Sequence, residues 1–166
     1  YTPMQLSQYV TTIANGGERL VPHLLKEVHA STEDESLGKT ILSVDRKVLN
    51  TIDTKPEYMA RVKEGFYAVM HAPGGYGRGY IDDKFDAAGK TGTSQSFIDK
   101  DGNGIIDTET ITSSFVGYAP ANNPKMSILV TSPNSSHPNS NTDYASLVTL
   151  HITKAVTNKF FELYGY

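Results

Sequence analysis

Apolar residues near the start of the chain recur at the spacing of an α-helix. The residues that share this helical face are Leu6, Tyr9, Val10 and Ile13. Before them, Thr2-Pro3-Met4-Gln5 supplies a capping hydroxyl, a proline suited to the first turn and a glutamine three positions after the cap. After them, Asn15-Gly16-Gly17 tolerates the positive φ that ends a helix. The pattern predicts a helix between these two signals.

Two further stretches carry the helical period. Thr54-Lys55-Pro56-Glu57 predicts a second capping box, and the apolar positions that follow it are Met59, Val62, Phe66, Val69 and Met70. A last helix is predicted for residues 142–163. We expect it to pack on a sheet through one apolar face, formed by Tyr144, Val148, Ile152, Ala155 and Val156.

A period of two replaces the helical period in the middle of the chain. Three strands are predicted, at residues 85–96, 112–118 and 126–131. In the second, Phe115 and Gly117 should face one side of the sheet, and Val116 and Tyr118 the other. A weaker leucine- and valine-rich strand is predicted within residues 19–30, and loops are predicted at residues 31–38, 72–80 and 132–141. Together these elements predict an α+β fold with an antiparallel sheet flanked by helices.

The composition of the chain excludes several classes of function. The chain has 166 residues, which suits one domain. Its net charge of −3 argues against a nucleic-acid partner, because such proteins usually carry a basic face. The absence of cysteine excludes disulfides, thiolate metal sites and a cysteine nucleophile. Five histidines are scattered without a metal-binding spacing, which predicts surface or packing roles.

The candidate chemistry lies in Ala88-Gly89-Lys90-Thr91-Gly92-Thr93. Gly-Lys-Thr also ends a phosphate-binding P-loop, but that loop needs a glycine five positions before Gly89, where this chain has Lys84. The alternative is the Lys-Thr-Gly strand of serine acyltransferases that act on β-lactams and D-Ala-D-Ala peptides. There a lysine supplies positive charge for a substrate carboxylate, and glycine lets the substrate approach the backbone. A following backbone N–H can donate to the developing oxyanion.

Several segments, in order along nearly the whole chain, resemble class B penicillin-binding proteins. These segments are Thr2-Pro3-Met4-Gln5-Leu6, Ile13-Ala14-Asn15-Gly16-Gly17, Val21-Pro22-His23, Ala88-Gly89-Lys90-Thr91-Gly92-Thr93 and Phe115-Val116-Gly117-Tyr118-Ala119-Pro120. The first three are similar to the family's segment after its middle active-site motif, and the last two to its third motif and the next strand. The resemblance implies part of a penicillin-binding, serine β-lactamase-like transpeptidase domain.

The resemblance also implies an activity, partners and residue roles. The family cross-links peptidoglycan by serine acyl transfer on stem peptides ending in D-Ala-D-Ala, and β-lactams acylate the same serine. Lys90 would then hold the carboxylate, Thr91 and Thr93 would offer hydroxyls, and the N–H after Gly92 would be one oxyanion donor. No cofactor is required. The whole enzyme is expected on the outer face of the cytoplasmic membrane, anchored by an N-terminal helix that this chain does not contain.

The chain departs from the family in its serine motifs. The family's Ser-x-Asn motif is absent, and the only Ser-x-x-Lys match is Ser36-Leu37-Gly38-Lys39, in a polar loop and in the wrong order for the nucleophile. We expect both motifs to precede Tyr1, in a missing N-terminal part of the same domain, and the chain alone to be inactive. A β-lactam sensor with the same Lys-Thr-Gly strand is the alternative function.

One loop has the spacing of a calcium site. An EF-hand-type loop would take its oxygen ligands from the side chains of Asp99, Asp101, Asn103 and Asp107 and the carbonyl of Ile105. The usual glutamate at position 12 is replaced by Thr110, and Asp, Asn and Gly also form turns without metal. Calcium binding and a plain polar turn both remain open, and a calcium-dependent interaction module is a third function.

Overall fold

The computed structural model describes residues 1–34, 36–135 and 144–166, and the side chains within these ranges except those of 144–146. The elements are α1 Pro3–Ala14, β1 Glu18–Leu20, β2 Glu27–His29, β3 Thr40–Ser43, β4 Val48–Thr51, α2 Pro56–His71, β5 Ala88–Ile98, β6 Thr108–Ala119, β7 Met126–Ser135 and α3 Tyr144–Tyr164. A short 3-10 turn, Asp83–Phe85, precedes β5. The predicted α+β class is confirmed.

The described residues form one main sheet, in which β5, β6 and β7 follow each other in space as they do along the chain. Both contacts are antiparallel, with Lys90 opposite Val116 and Ala119 opposite Met126. The predicted antiparallel sheet is therefore confirmed. The strands are longer than predicted at the β5–β6 turn, and Phe85 belongs to the 3-10 turn instead of the strand.

Strands β1 to β4 form two short two-stranded sheets that the sequence did not predict. β1 pairs with β4, and β2 pairs with β3 between them. The prediction of one strand within 19–30 was wrong, since two three-residue strands lie there, and β3 and β4 were missed. Every residue of β3 and β4 is exposed, so the burial that produces an alternating pattern is lacking.

The main sheet has an apolar core on each face. Phe115 lies in a cluster with Leu150 of α3, and Tyr118 lies in a second cluster with Val10 of α1. Val116 packs against the second cluster, so the predicted alternation of β6 is confirmed. Phe115 and Tyr118 are 1% and 2% exposed, which shows that the strand is covered on both sides.

Two glycines make room for the Phe115 ring. Gly89 and Gly117 lie opposite each other on β5 and β6. A methyl group on Gly117 would stand 2.7 Å from Cε1 of Phe115, and one on Gly89 would stand 2.7 Å from Cε2. Both separations are shorter than any normal carbon–carbon contact, so the ring lies in a slot that only glycines leave open.

The last helix packs through a different face from the predicted one. Val148, Ile152 and Val156 are 44–45% exposed. The face that meets the sheet consists of Thr149, Leu150, Thr153, Thr157 and Phe161, all buried. Threonine counts as a polar residue in a sequence pattern, but its methyl group can pack in a core. Its hydroxyl can donate to the helix backbone, as the Thr153 hydroxyl does to the Thr149 carbonyl at 2.7 Å. The prediction failed because the more apolar stripe was assigned to the core.

The two earlier helices differ in how their starts are capped. Thr2 and Gln5 form the predicted capping box at α1. At α2 the prediction was wrong, because Lys55 occupies the cap and, within the described residues, makes no side-chain cap hydrogen bond. Tyr9 also departs from the predicted buried face, being 51% exposed.

Across the described ranges, no helix combines the length and apolarity needed to cross a membrane.

Candidate active-site strand

The motif Lys90-Thr91-Gly92-Thr93 runs extended within β5, at an edge of the main sheet. β6 pairs with one side of β5, and no strand pairs with its other side in the described ranges. The Lys90 side chain is exposed, and its ammonium group donates to the Thr91 carbonyl at 2.6 Å. The arrangement presents a cation and two threonines along an open strand edge.

Gly92 is required by its neighbour on β6. Ser114 lies opposite Gly92, and a methyl group added to Gly92 would stand 2.7 Å from the Ser114 hydroxyl oxygen. The same hydroxyl donates to the Gly92 carbonyl at 3.5 Å, a long hydrogen bond. Ser114 therefore lies against the backbone at the centre of the motif. No sequence pattern pointed to Ser114 as a residue of this site.

The start of β5 is held from two directions. Asp86, just before the strand, has φ 47° and ψ 49°, and its carbonyl accepts from Ala121 N–H at 2.7 Å. The next carbonyl, of Ala87, accepts from Nε2 of His71 at 2.9 Å. His71 is the last residue of α2 and was predicted to have only a packing or surface role. No local pattern could have identified it, because the contact joins positions that are distant in sequence.

Beyond the motif, a polar cluster ties the three strands together. The Ser96 hydroxyl lies 3.0 Å from Thr110 Oγ1 and 3.2 Å from Asn134 Oδ1. Gln95 donates to Glu109 at 2.9 Å on the strand next to it. These bonds support the extension of β5 toward the β5–β6 turn.

The two serine patterns in this chain lie away from the start of β5. Ser36 is in the loop between β2 and β3, and its hydroxyl donates to Asp34 at 2.7 Å. A Ser-x-Asn triplet, Ser132-Pro133-Asn134, occurs after the lysine strand, on β7. It follows Lys90 in sequence, and its Asn134 contacts Ser96 near the far end of β5 instead of the lysine motif, so it does not have the place of the family's middle motif.

The predicted calcium loop forms the β5–β6 turn. Asp99 accepts from the backbone N–H groups of Gly102 and Gly104, each at 2.7 Å, and the Gly104 bond is the main reason that the pKa of Asp99 is lowered. Asn103 Oδ1 accepts from Ile105 N–H at 2.7 Å. No group of three or more His, Cys, Asp or Glu in the described ranges is placed to hold a metal ion. The loop's oxygens serve its own backbone, and calcium binding stays a prediction.

Comparisons with known proteins agree with the geometry of this strand. Residues 1–158 match the model of the penicillin binding protein transpeptidase domain. The chain is 40% identical to penicillin-binding protein 2A of Bacillus subtilis (strain 168) over 164 residues, 98% of this chain and 22% of that protein. It is 31% identical to peptidoglycan D,D-transpeptidase MrdA of Haemophilus influenzae over 147 residues, 84% of this chain and 22% of that protein.

A solved structure gives the same result. Penicillin-binding protein 2B from Streptococcus pneumoniae (strain R6) superposes with a TM-score of 0.77 at 29% identity, covering 100% of this chain and 25% of that one. The chain thus spans about a fifth of the length of the curated relatives it matches. With the lysine strand at an open sheet edge and a family match over residues 1–158, this chain belongs to the penicillin-binding protein transpeptidase domain family.

Proposed function

We propose that this chain is the C-terminal part of a peptidoglycan D,D-transpeptidase, which cross-links stem peptides by serine acyl transfer and is acylated by β-lactams. The observation that carries the proposal is the extended strand Gly89–Thr93 at a sheet edge, in a chain of this family. The nucleophilic serine belongs to a part of the domain upstream of Tyr1. The chain contributes one wall of the active site.

Lys90 and its neighbours have distinct roles in that wall. The exposed ammonium of Lys90 supplies positive charge for the carboxylate of a D-Ala-D-Ala peptide or a β-lactam. Thr91 and Thr93 present hydroxyls along the strand to the same ligand. Gly92 keeps side-chain atoms away from the backbone, so that the ligand can lie alongside the strand.

Acyl transfer develops negative charge on the attacked carbonyl oxygen. The backbone N–H of Thr93 would be one donor to that oxyanion, and the N–H of the serine would be the other. Removal of one such donor typically lowers the rate on the order of 10²–10³-fold. The reaction needs no metal or cofactor, because the serine, these donors and the lysine charge supply what acyl transfer requires.

Two surfaces support an upstream part of the same domain as a partner. In the described ranges β7 pairs only with β6, so the outer edge of its apolar run Met126–Val130 leaves backbone donors and acceptors unpaired. On α3, Val148, Ile152 and Val156 form an exposed apolar stripe. A strand added to β7 and an apolar segment laid over α3 would cover both surfaces.

The place of action follows from the substrate. Peptidoglycan lies outside the cytoplasmic membrane, and we infer that the whole protein works on that face, anchored by a helix upstream of this chain. Exposure of the protein in intact cells to an impermeant protease tests this inference. Cleavage of the protein without lysis is expected, and protection until lysis contradicts it.

The proposed activity is tested in the full-length protein with a fluorescent penicillin. We expect an adduct that survives denaturation, and release of D-Ala from a peptide ending in D-Ala-D-Ala. Ser36→Ala is the matched control: it removes the only Ser-x-x-Lys serine of this chain and should leave the adduct unchanged. A full-length protein that forms no adduct, or an adduct lost with Ser36→Ala, would show the proposal to be wrong.

A further inference from the structure

The turn that starts the lysine strand has a conformation that must be held in place. Asp86 lies in the left-handed region at φ 47°, which is unfavourable for a residue with a side chain. Its N–H donates to the Asp83 carbonyl at 3.0 Å, and its carbonyl accepts from Ala121 at 2.7 Å. Through these bonds the turn is fixed to the 3-10 segment and to the β6–β7 link.

Helix α2 fixes the residue that follows. The carbonyl of Ala87 accepts from His71 Nε2 at 2.9 Å, and because a carbonyl can only accept, the imidazole proton is on Nε2. Ala87 is 5% exposed, and strand pairing with β6 begins one residue later, at Ala88 opposite Tyr118. His71 therefore satisfies a buried carbonyl that lies just outside the strand ladder.

Tyr67 completes the contact one helical turn earlier. Its ring stacks on His71, with centroids 4.0 Å apart and planes 18° apart, the neighbour relation expected at i and i+4. Tyr67 also lies beside Asp86. Burial first, and then the charge of Asp86 and a hydrogen bond to it, raise the pKa of Tyr67. One aromatic pair on α2 thus contacts two successive residues, Asp86 and Ala87.

We propose that His71, supported by Tyr67, is a positioning residue for the transpeptidation strand: it sets where β5 leaves the Asp86 turn and so where Lys90 and Thr93 stand. Lys90 follows Ala87 by three residues, about 10 Å of strand. One side of β5 has no strand partner in the described part of the chain, so the anchor at Ala87 and the pairing with β6 fix its path. This inference rests on the proposed function, because the effect on chemistry needs the upstream serine.

Two amide substitutions differ in whether the side chain can reach the Ala87 carbonyl. In His71→Gln the amide nitrogen is as many bonds from Cα as Nε2 and reaches the Ala87 carbonyl, whereas in His71→Asn it is one bond too short. In the full-length protein we expect His71→Asn to lower the limiting rate constant for acylation by a fluorescent penicillin by roughly tenfold or more. His71→Gln should stay within about threefold of the wild type by the same argument. The dissociation constant of the non-covalent complex should change less than the limiting rate.

A second measurement does not depend on the serine. Hydrogen–deuterium exchange of peptides covering residues 87–93 should be about fivefold faster in His71→Asn. The loss of one hydrogen bond of ordinary strength shifts the equilibrium for local opening by about this factor. His71→Gln should exchange like the wild type. Arg61→Ala, on the exposed side of α2 and paired only with Glu64 in the described residues, is the control and should change neither measurement.

The inference is overturned if His71→Asn and His71→Gln acylate alike, whether both match the wild type or both are slowed. It is also overturned if exchange over residues 87–93 is the same in all variants. A wild-type protein that never acylates, with exchange faster only in His71→Asn, would instead refute the proposed function and leave the anchoring role of His71 standing.

Discussion

Gly89→Ala tests whether the Phe115 slot fixes the path of the lysine strand. The added methyl group would stand 2.7 Å from Cε2 of Phe115 and 2.9 Å from the Val116 carbonyl oxygen. Phe115 is 1% exposed and cannot move aside without disturbing the core on the α3 side. Overpacking of this kind costs about 1–3 kcal/mol of unfolding free energy. Each kcal/mol lowers the melting temperature of a domain of 150–250 residues by about 2–4 °C, and that of a larger domain by less.

Thermal unfolding of the full-length protein is the assay, with two comparisons. Gly65→Ala is the matched control, because Gly65 is exposed on α2 and a methyl group there meets nothing within 4 Å in the described residues. It should stabilise the protein by about 0.4–1 kcal/mol. Phe115→Leu removes the ring edge that the Gly89 methyl group meets. Combined with Gly89→Ala, it should cost less than the sum of the single changes, by about 1 kcal/mol or more.

Two results would refute this reasoning. If Gly89→Ala melts with the wild type or above it, the ring does not fill the slot. If Gly89→Ala and Phe115→Leu destabilise additively, the penalty comes from another contact, such as the Val116 carbonyl, and not from the ring. The control variant Gly65→Ala shows the general effect of replacing a glycine by alanine, so that the effect specific to position 89 can be separated from it.

Four other predictions follow from the same structure. Lys90→Ala should lower fluorescent-penicillin acylation of the full-length protein by about tenfold or more, since a charge-assisted hydrogen bond to the ligand carboxylate contributes about 1.5–3 kcal/mol; a rate within twofold of the wild type contradicts the role. Ile152→Asp should lower the melting temperature of the full-length protein well below that of Asn158→Asp on the same helix, if the exposed stripe is covered; equal melting temperatures mean that it is not. Calcium titrated calorimetrically to millimolar concentration should give heat that Asp101→Ala abolishes, and no heat ends the prediction. Burial raises the pKa of Tyr118 to about 12, whereas an unfolded tyrosine titrates near about 10. The unfolded state then binds fewer protons over that interval, so stability should fall as the pH rises through it, and Tyr118→Phe should lessen the fall.

Short sequence patterns correctly predicted the features that depend on residues close together in the chain. The capping box at Thr2 is made within one helical turn, and the sequence contains all of its parts. Strands β6 and β7 are joined by a short polar link around Pro120 to Pro124, so their pairing needs little information from elsewhere. The lysine strand was found because its glycines and threonines form a motif whose chemistry depends on an extended backbone.

Features decided by contacts between distant segments were missed. Ile152 and Thr153 are adjacent on α3, and only packing against β6 and β7 determines that the threonine is buried and the isoleucine exposed. The two small sheets formed by β1 to β4 were missed because β3 and β4 are exposed and show no alternation. His71 gave no signal because its partner, Ala87, contributes only a backbone carbonyl.

The sequence by itself therefore determined the family, the α+β class and the residues of the lysine strand, because each is carried by short motifs or by a local period of apolar residues. The tertiary structure alone decided which side of α3 meets the sheet, and that α2 anchors the start of β5 through His71. The physical reason is that burial and backbone hydrogen bonding across long separations depend on how the helices pack on the sheet, and a one-dimensional pattern of apolar residues does not contain that packing.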